Sequence, residues 1–206
     1  MIDDVRAKHA VDGRRIYAVG LSAGGLMSGI LLACYPDVFA AGVIASAGMY
    51  KAGVNLSEGM AVLKNGSPHD PNARGKEAWE CGGARVAHPV PELVIDGDAD
   101  TVVAAVNARQ TVEQVAQLND FADDGKDNDS VSAPLAGGAR ERSPGGLEYT
   151  CRDSRKGDEV IVRHCTVHGL GHAWSGGDPA FPYAEPKGPD ATALAWEFLE
   201  RHTRAR

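Results

Sequence analysis

The sequence predicts an α/β fold in which helices cover both faces of a mostly parallel sheet. Residues 15–20, 39–47 and 92–95 are short and largely apolar, as buried strands are. Segments with the apolar spacing of helices alternate with them. Strands that are apolar throughout, with no polar residue at every second position, are typical of parallel sheets. Strands that take turns with helices along the chain indicate the α/β class.

The remaining helices and strands are predicted from the spacing of apolar residues. Five helices are predicted, near residues 2–10, 23–35, 56–63, 112–118 and 190–199. Two further strands are predicted near residues 147–152 and 159–167. We expect the helix at 23–35 to bury one apolar stripe, formed by Met27, Ile30, Leu31 and Cys34.

The chain of 206 residues fits a single domain over residues 1–206. Two segments interrupt the alternation of strands and helices. Residues 48–90 are irregular and contain scattered Gly and Pro, so we expect a lobe or insertion there. Residues 121–146 are polar and rich in Gly and Asp, which predicts a surface loop.

The composition limits the partners that we expect. The chain has 21 basic and 28 acidic residues, a formal charge of −7, and its basic residues are dispersed. Nucleic-acid binding needs a concentrated basic surface, so no nucleic-acid partner is expected. No apolar run approaches the roughly 20 residues that cross a bilayer, so no membrane partner is expected either. The first residues are charged and contain no signal peptide, which leaves the compartment unknown.

Two of the four cysteines face each other on the predicted hairpin. Cys151 and Cys165 each lie seven residues from Asp158, which is in the turn. A disulfide is geometrically possible there, and two reduced thiols are an equal alternative. None of the four cysteines has the spacing of a zinc site.

The pentapeptide Gly20-Leu21-Ser22-Ala23-Gly24 lies between the first strand and the helix after it. A serine at such a turn projects its hydroxyl out of the sheet, and small residues two positions before and after it avoid a backbone collision. The amide of Ala23, at the helix N-terminus, can face a developing oxyanion. The motif therefore indicates nucleophilic acyl transfer, with Ser22 as the nucleophile.

A candidate base and a candidate acid follow two other strands. The strand at 92–95 leads into Asp100, and the strand at 159–167 leads into His172. Because functional groups gather at the carboxyl ends of parallel strands, we expect both side chains to lie near Ser22. The chain order Ser, Asp, His is that of the α/β-hydrolase triad.

The chain resembles the esterase family of poly(3-hydroxybutyrate) depolymerases and feruloyl or acetylxylan esterases. The resemblance rests on the segments GLSAGG at 20–25, YPDVF at 35–39, GDADTVV at 97–103, GLGHAWSGG at 169–177 and GPDA at 188–191. It implies a serine ester hydrolase of the α/β-hydrolase fold, acting on polyhydroxyalkanoate, other polyester or feruloyl-type esters. It assigns Ser22 as nucleophile, Asp100 as the carboxylate that orients the base, and His172 as the base. The resemblance implies neither a cofactor nor a metal. It does imply an extracellular location.

Only one predicted helix precedes the first strand, whereas an α/β-hydrolase sheet has several strands before the nucleophile. We therefore expect an N-terminally truncated version of the fold. Its first strand would be an exposed edge, which favours pairing into a homodimer or higher oligomer. The second oxyanion donor would then come from another segment or from a second copy.

Several alternatives remain open at this stage. Asp96 or Asp98 could replace Asp100, and each could equally be a turn residue. His168 lies four residues before His172, but the glycines between them argue against a helical metal pair. Trp174 would line a substrate pocket or pack against the histidine loop. Three other aromatic residues are weaker candidates for the same surface: Trp79, Phe181 and Tyr183.

Two other functions are alternatives to ester hydrolysis. A catalytically weakened fragment would act as a binding or assembly module, because losing an oxyanion donor costs about a hundred- to a thousand-fold in rate. A peptidase on the same fold is the weaker alternative.

Overall fold

A six-stranded sheet forms the centre of the protein in a computed structural model that describes residues 1–134 and 137–204. The strands are β1 (Tyr17–Leu21), β2 (Ala41–Ala45), β3 (Glu92–Gly97), β4 (Arg140–Arg142), β5 (Glu148–Lys156) and β6 (Glu159–His168). Their order across the sheet is β1-β2-β3-β6-β5-β4. Strands β1, β2, β3 and β6 are parallel to one another. Strand β5 pairs antiparallel with β6, and β4 pairs antiparallel with β5. The mostly parallel sheet predicted from the sequence is confirmed.

The described residues form six α-helices: α1 (Ile2–Lys8), α2 (Ala23–Cys34), α3 (Leu56–Asn65), α4 (Pro71–Gly82), α5 (Val106–Asp124) and α6 (Ala191–Leu199). A separate short pair consists of β7 (Trp174–Ser175) and β8 (Ala184–Glu185). Helix α4 was not predicted, although its start is visible in the sequence. Asp70 precedes Pro71 and accepts a hydrogen bond from the N–H of Asn72, as a helix-capping residue does.

The segment at 121–146, predicted to be a loop, is partly regular. Helix α5 continues to Asp124 and ends at Gly125, which adopts a left-handed conformation with φ 78°. Asp120 then holds the following turn by accepting the N–H of Asn128 and the hydroxyl of Ser130. Polar residues thus serve as local caps here, and β4 follows at 140–142. Residues 135 and 136 of this segment lie outside the described residues.

Helices cover both faces of the sheet. Phe198 of α6 is 2% exposed and packs in one cluster with residues of β2, β3 and β6. On the opposite face, α5 packs Val112 and Val115 against Val94 and Val162. Leu32 of α2 is fully buried on that same side of β1. No helix in the described part of the chain is long and apolar enough to span a membrane.

The buried side of α2 matches the predicted stripe only in part, since Cys34 is buried and Leu31 packs partly buried against the core, but the other two residues are exposed. Met27 is 53% exposed and Ile30 is 38% exposed, whereas Leu32 is fully buried. The helix lies so close to the sheet that a Cβ at Gly42 of β2 would be 2.3 Å from a methyl group of Leu32. Close packing therefore selects Leu32 and the small residue Gly25 for the inner face.

Two disulfides connect the four cysteines. Cys151 and Cys165 are directly opposite each other on β5 and β6 and are bonded. Cys34 at the end of α2 is bonded to Cys81 in α4, across 47 residues of sequence. The second bond was not predicted, because it depends on how two helices pack rather than on a local hairpin.

Two glycines allow the tight turn between β1 and α2. A Cβ at Gly20 would lie 2.1 Å from the carbonyl carbon of Gly24, and one at Gly25 would lie 2.8 Å from the Cβ of Ala47. A Cβ at Gly24 would meet no atom within 4 Å outside its chain neighbours and the backbone of its own helix. The expectation that Gly24 must lack a side chain is therefore wrong, since its backbone approaches Gly20 but its α-hydrogen faces open space.

A buried carboxyl group lies at the start of β3. Glu92 is 1% exposed, and its Oε2 has no hydrogen-bond partner among the described residues. Burial raises the pKa of Glu92 to about 8, from an ordinary value of 4.5. The folded protein therefore holds this carboxyl group protonated over a range in which the unfolded chain ionises it.

Gly20→Ala and Gly24→Ala should have opposite effects. The first should destabilise the fold by several kcal/mol or prevent folding, because two backbone segments would have to separate. The second should leave the fold intact and raise stability by roughly 0.5–1 kcal/mol, since Ala is the better helix residue. Thermal unfolding measures both, and equal effects of the two variants would contradict this description of the turn.

Glu92→Gln should change how stability depends on pH. Well below pH 4.5 the carboxyl group is protonated in both the folded and the unfolded state, so its ionisation does not change the free energy of unfolding. Between pH 4.5 and about 8 only the unfolded chain ionises, so the wild-type protein should lose stability relative to the variant, by roughly 1 kcal/mol for each pH unit. Urea unfolding across this range measures the difference, and parallel pH profiles would contradict the prediction.

Candidate active site

Three parallel strands deliver the predicted serine, acid and base to the same edge of the sheet. Ser22 follows β1, Asp100 follows β3 and His172 follows β6. Backbone hydrogen bonds continue the ladder past the strand ends, because the N–H of Ser22 donates to Ala45 and the N–H of Ala99 donates to Leu170. The backbone segments that carry these three residues are thus tied to the sheet.

Ser22 has an unusual backbone conformation at the start of α2. Its φ of 57° and ψ of −119° lie in a region that side-chain-bearing residues rarely adopt. The hydroxyl makes no capping bond to its own helix. Ala23 is the first residue of α2, and the amide of a first helical residue has no partner within its helix. This turn therefore presents a hydroxyl and a backbone N–H together, as acyl transfer requires.

Asp100 and His172 form a buried pair. Oδ2 of Asp100 lies 2.8 Å from Nδ1 of His172, and the carboxylate and imidazole are 1% and 10% exposed. Oδ1 of Asp100 accepts the N–H groups of Val102 and Val103, each at 2.8 Å. The loop thus fixes the carboxylate, and the carboxylate in turn fixes Nδ1. In this arrangement Nε2 is the nitrogen left to exchange a proton with a serine hydroxyl.

The alternative acids each contact a different histidine. Oδ1 of Asp96, within β3, lies 2.8 Å from Nε2 of His164, within β6, and both side chains are largely buried. Oδ2 of Asp98 lies 2.8 Å from Nδ1 of His168, the last residue of β6. Of the three candidate acids, only Asp100 is bonded to His172. These three aspartates and three histidines are all visible in the sequence. The full set of pairs follows from the parallel pairing of β3 with β6.

Trp174 lies in β7 and is partly buried. Its indole N–H donates to the hydroxyl of Thr192 at the start of α6, at 3.0 Å, and its ring packs against the core cluster that contains Phe198. These contacts tie Trp174 to the start of α6 and to the core beneath it. The aromatic ring beside the imidazole of His172 is instead that of Tyr183, with ring centroids 6.3 Å apart and nearly perpendicular planes.

The other aromatic candidates occupy different surroundings. Tyr183 and Phe181 are both 67% exposed. Trp79 stacks on Phe121 with ring centroids 5.2 Å apart, in a cluster formed by α2, α4 and α5, so its placement at the site surface is wrong. The reason is that α4, which carries Trp79, packs against α5 and is held by the Cys34–Cys81 bond.

The described residues contain no cluster of three or more His, Cys, Asp or Glu side chains placed to hold a metal ion. His168 and His172 are bonded to different carboxylates. The groups that the structure places at this edge are a hydroxyl, an imidazole oriented by a carboxylate, and a backbone amide. Such a set supports nucleophilic acyl transfer.

The fold is shared with solved esterase structures. The acetyl xylan esterase from Aspergillus awamori superimposes with a TM-score of 0.65 at 17% identity, covering 97% of this chain and 64% of that one. The PHB depolymerase from Penicillium funiculosum gives a TM-score of 0.61 at 18% identity, covering 91% and 52%. At such identities the likeness concerns the fold, and it confirms the predicted α/β-hydrolase class.

Relatives that are similar in sequence are also a depolymerase and an esterase. Poly(3-hydroxyalkanoate) depolymerase C of Paucimonas lemoignei is 30% identical over 173 residues, which are 84% of this chain and 38% of that protein. Feruloyl esterase B of Thermothelomyces thermophilus is 46% identical over 46 residues, 22% of this chain and 16% of that protein. The chain therefore spans well under half the length of these relatives.

A family model described as Esterase PHB depolymerase matches residues 1–142. The match includes three of the five segments on which the resemblance was based, at 20–25, 35–39 and 97–103. This chain belongs to the Esterase PHB depolymerase family.

Proposed function

We propose that this protein hydrolyses carboxylic esters through an acyl-enzyme. The observation that carries the proposal is the 2.8 Å contact between Asp100 and His172, at the edge of the sheet where β1 presents Ser22 in a strained turn. The family assignment supports the same chemistry. In this proposal Ser22 is the nucleophile, His172 the general base and acid, and Asp100 the residue that orients the base.

The proposed reaction has two steps. Nε2 of His172 takes the proton from Ser22 as Oγ bonds to the ester carbonyl carbon, and the oxyanion faces the N–H of Ala23. The intermediate collapses, the bond to the alcohol oxygen breaks, and His172 returns the proton to that oxygen. Water, activated by the same imidazole, then attacks the acyl group, and Ser22 regains its proton as the free acid leaves.

The substrate class that we propose is polyhydroxyalkanoate, other polyester or feruloyl-type esters. The names of the relatives, a poly(3-hydroxyalkanoate) depolymerase and a feruloyl esterase, support this range. Tyr183, Phe181 and Trp174 lie on the loop after His172 and supply aromatic surface on that side. Of these, we propose that Trp174, two residues after His172 in the chain, contributes to the substrate site.

An extracellular location is proposed from the same family resemblance. The two disulfides support it, since such bonds persist mainly in oxidising environments. All four cysteines are used in these two bonds.

We also propose that two copies associate through β1. In the described sheet, β1 pairs only with β2 and leaves its other edge open. Val19 of this strand is 48% exposed, and Met27 and Ile30 of the next helix add further exposed apolar surface. An open edge with apolar side chains is a template for pairing with another chain.

Ser22→Ala should abolish hydrolysis of a short-chain p-nitrophenyl ester, and Asp100→Asn should lower kcat by about 10³- to 10⁴-fold through loss of the imidazole orientation. Ser57→Ala, at an exposed position in α3, is the matched control and should retain full activity. Unchanged turnover in Ser22→Ala would overturn the catalytic assignment.

Covalent labelling separates catalysis from a binding or assembly role. An activated serine displaces fluoride from a fluorophosphonate and keeps the phosphonyl group on Oγ. The wild-type protein should be labelled at Ser22. Folded protein that remains unlabelled and inactive would favour the binding or assembly module.

Size-exclusion chromatography with light scattering should give about twice the chain mass of 21.6 kDa. Val19→Lys places a charge on the open edge and should give a monomer. Val54→Lys, at a residue that is 63% exposed outside β1 and α2, should leave the dimer intact. A wild-type monomer at high protein concentration would overturn the association proposal.

A further inference from the structure

The loop that carries His172 is attached to the loop that carries Asp100 by a third residue, Asp98. Oδ1 of Asp98 accepts the N–H of Gly169 at 2.7 Å, and Oδ2 lies 2.8 Å from Nδ1 of His168. Both bonds run from the end of β3 to the end of β6. Asp98 therefore has one contact with the last residue of β6 and one with the first residue of the loop beyond it.

His168 extends this connection to a third strand. Its Nε2 lies 3.1 Å from the hydroxyl of Thr150 in β5. The bonded series Asp98–His168–Thr150 thus crosses β3, β6 and β5 at the sheet edge. With both ring nitrogens engaged, His168 cannot rotate without breaking a bond.

Gly169 is the residue at which the chain turns from β6 towards His172. Its φ of 81° requires a glycine-like conformation, and only two residues separate it from the histidine. Leu170, next in the chain, is 1% exposed and accepts the N–H of Ala99 at 3.1 Å. Gly97 packs so closely on Leu170 that a Cβ there would lie 2.1 Å from its carbonyl oxygen.

We propose that Asp98 is a positioning residue, which holds the 169–172 loop so that His172 meets Asp100 in the reactive orientation. This inference rests on the proposed function, and Asp98 acts through the loop because its bonds are to Gly169 and His168. A base that is misplaced by about 1 Å can lose about a hundred-fold in rate, so the anchor of a short loop matters.

The surroundings of Asp98 favour an anchoring role over that of a solvated surface charge. The carboxylate is 45% exposed, and an ion pair at such exposure contributes little by itself. The bond to a backbone N–H is different, because it restrains the path of the main chain. Partial burial opposes ionisation, but the bonds from Gly169 and His168 outweigh it and hold the pKa of Asp98 below its ordinary value.

Two substitutions at Asp98 separate geometry from charge. Asp98→Ala removes both bonds and should lower kcat by about 10- to 100-fold, with KM within about threefold of wild type. Asp98→Asn keeps an oxygen for the N–H of Gly169, and its amide can donate to His168 if that ring changes tautomer. The Asn variant should therefore restore most of kcat.

Asp70→Ala is the matched control, because exposed Asp70 also accepts a backbone N–H, from Asn72 in α4. It should lower thermal stability to a similar degree and leave kcat unchanged. A second readout is the low-field NMR resonance of the proton between His172 and Asp100, identified by its loss in His172→Ala. This resonance should broaden or shift in Asp98→Ala and persist in Asp70→Ala.

The proposal for Asp98 would be overturned by Asp98→Ala with wild-type kcat and an unchanged resonance. It would also be overturned if Asp98→Asn were as impaired as Asp98→Ala, since charge rather than loop geometry would then be decisive. Inactive wild-type protein that is indistinguishable from Ser22→Ala would instead overturn the proposed esterase function. The NMR comparison would still test the positioning of His172 in that case.

Discussion

The parallel pairing of β3 with β6 is the constraint on which the candidate site depends. Its register places Asp96 beside Thr166 and Gly97 beside Val167, so the two strands end together. The loops beyond them then bond to each other through main-chain and side-chain contacts. A shift of this register by one residue would turn every side chain to the opposite face and separate the carboxylates from their histidines. The pairing thus supports both the sheet and the chemistry.

The serine is held by a different part of the same sheet. β1 reaches β3 only through β2, and the turn after β1 exists because Gly20 and Gly25 permit close contact of the helix with the strands. The far end of α2 is tied to α4 by the Cys34–Cys81 bond, and α4 packs against α5. The strained conformation of Ser22 is therefore maintained by packing on both ends of one helix. A strained residue persists only where its surroundings determine it in this way.

Four acidic residues along β3 and its loop illustrate how environment decides the behaviour of a carboxyl group. Glu92 is buried without a partner, and burial raises its pKa to about 8. Asp96 is buried too, but it is bonded to a histidine and a threonine hydroxyl. Asp98 bonds a backbone N–H and a second histidine at the sheet edge. Asp100, whose side chain is the least exposed of the three aspartates, holds His172. The family resemblance singled out Asp100 among the aspartates, but residue type and spacing by themselves did not distinguish the environments of the four.

The sequence by itself determined the α/β class, the strand-to-helix turn at Ser22, and the placement of Asp100 and His172 after buried strands. These features follow from local patterns, because apolar runs and turn residues act over a few positions. Tertiary structure alone decided that Asp96 and Asp98 meet two other histidines, which side of α2 is buried, and that Cys34 bonds Cys81. Each of these depends on atoms brought together from distant parts of the chain. Their distances are set by strand register and helix packing, which no short segment of sequence encodes.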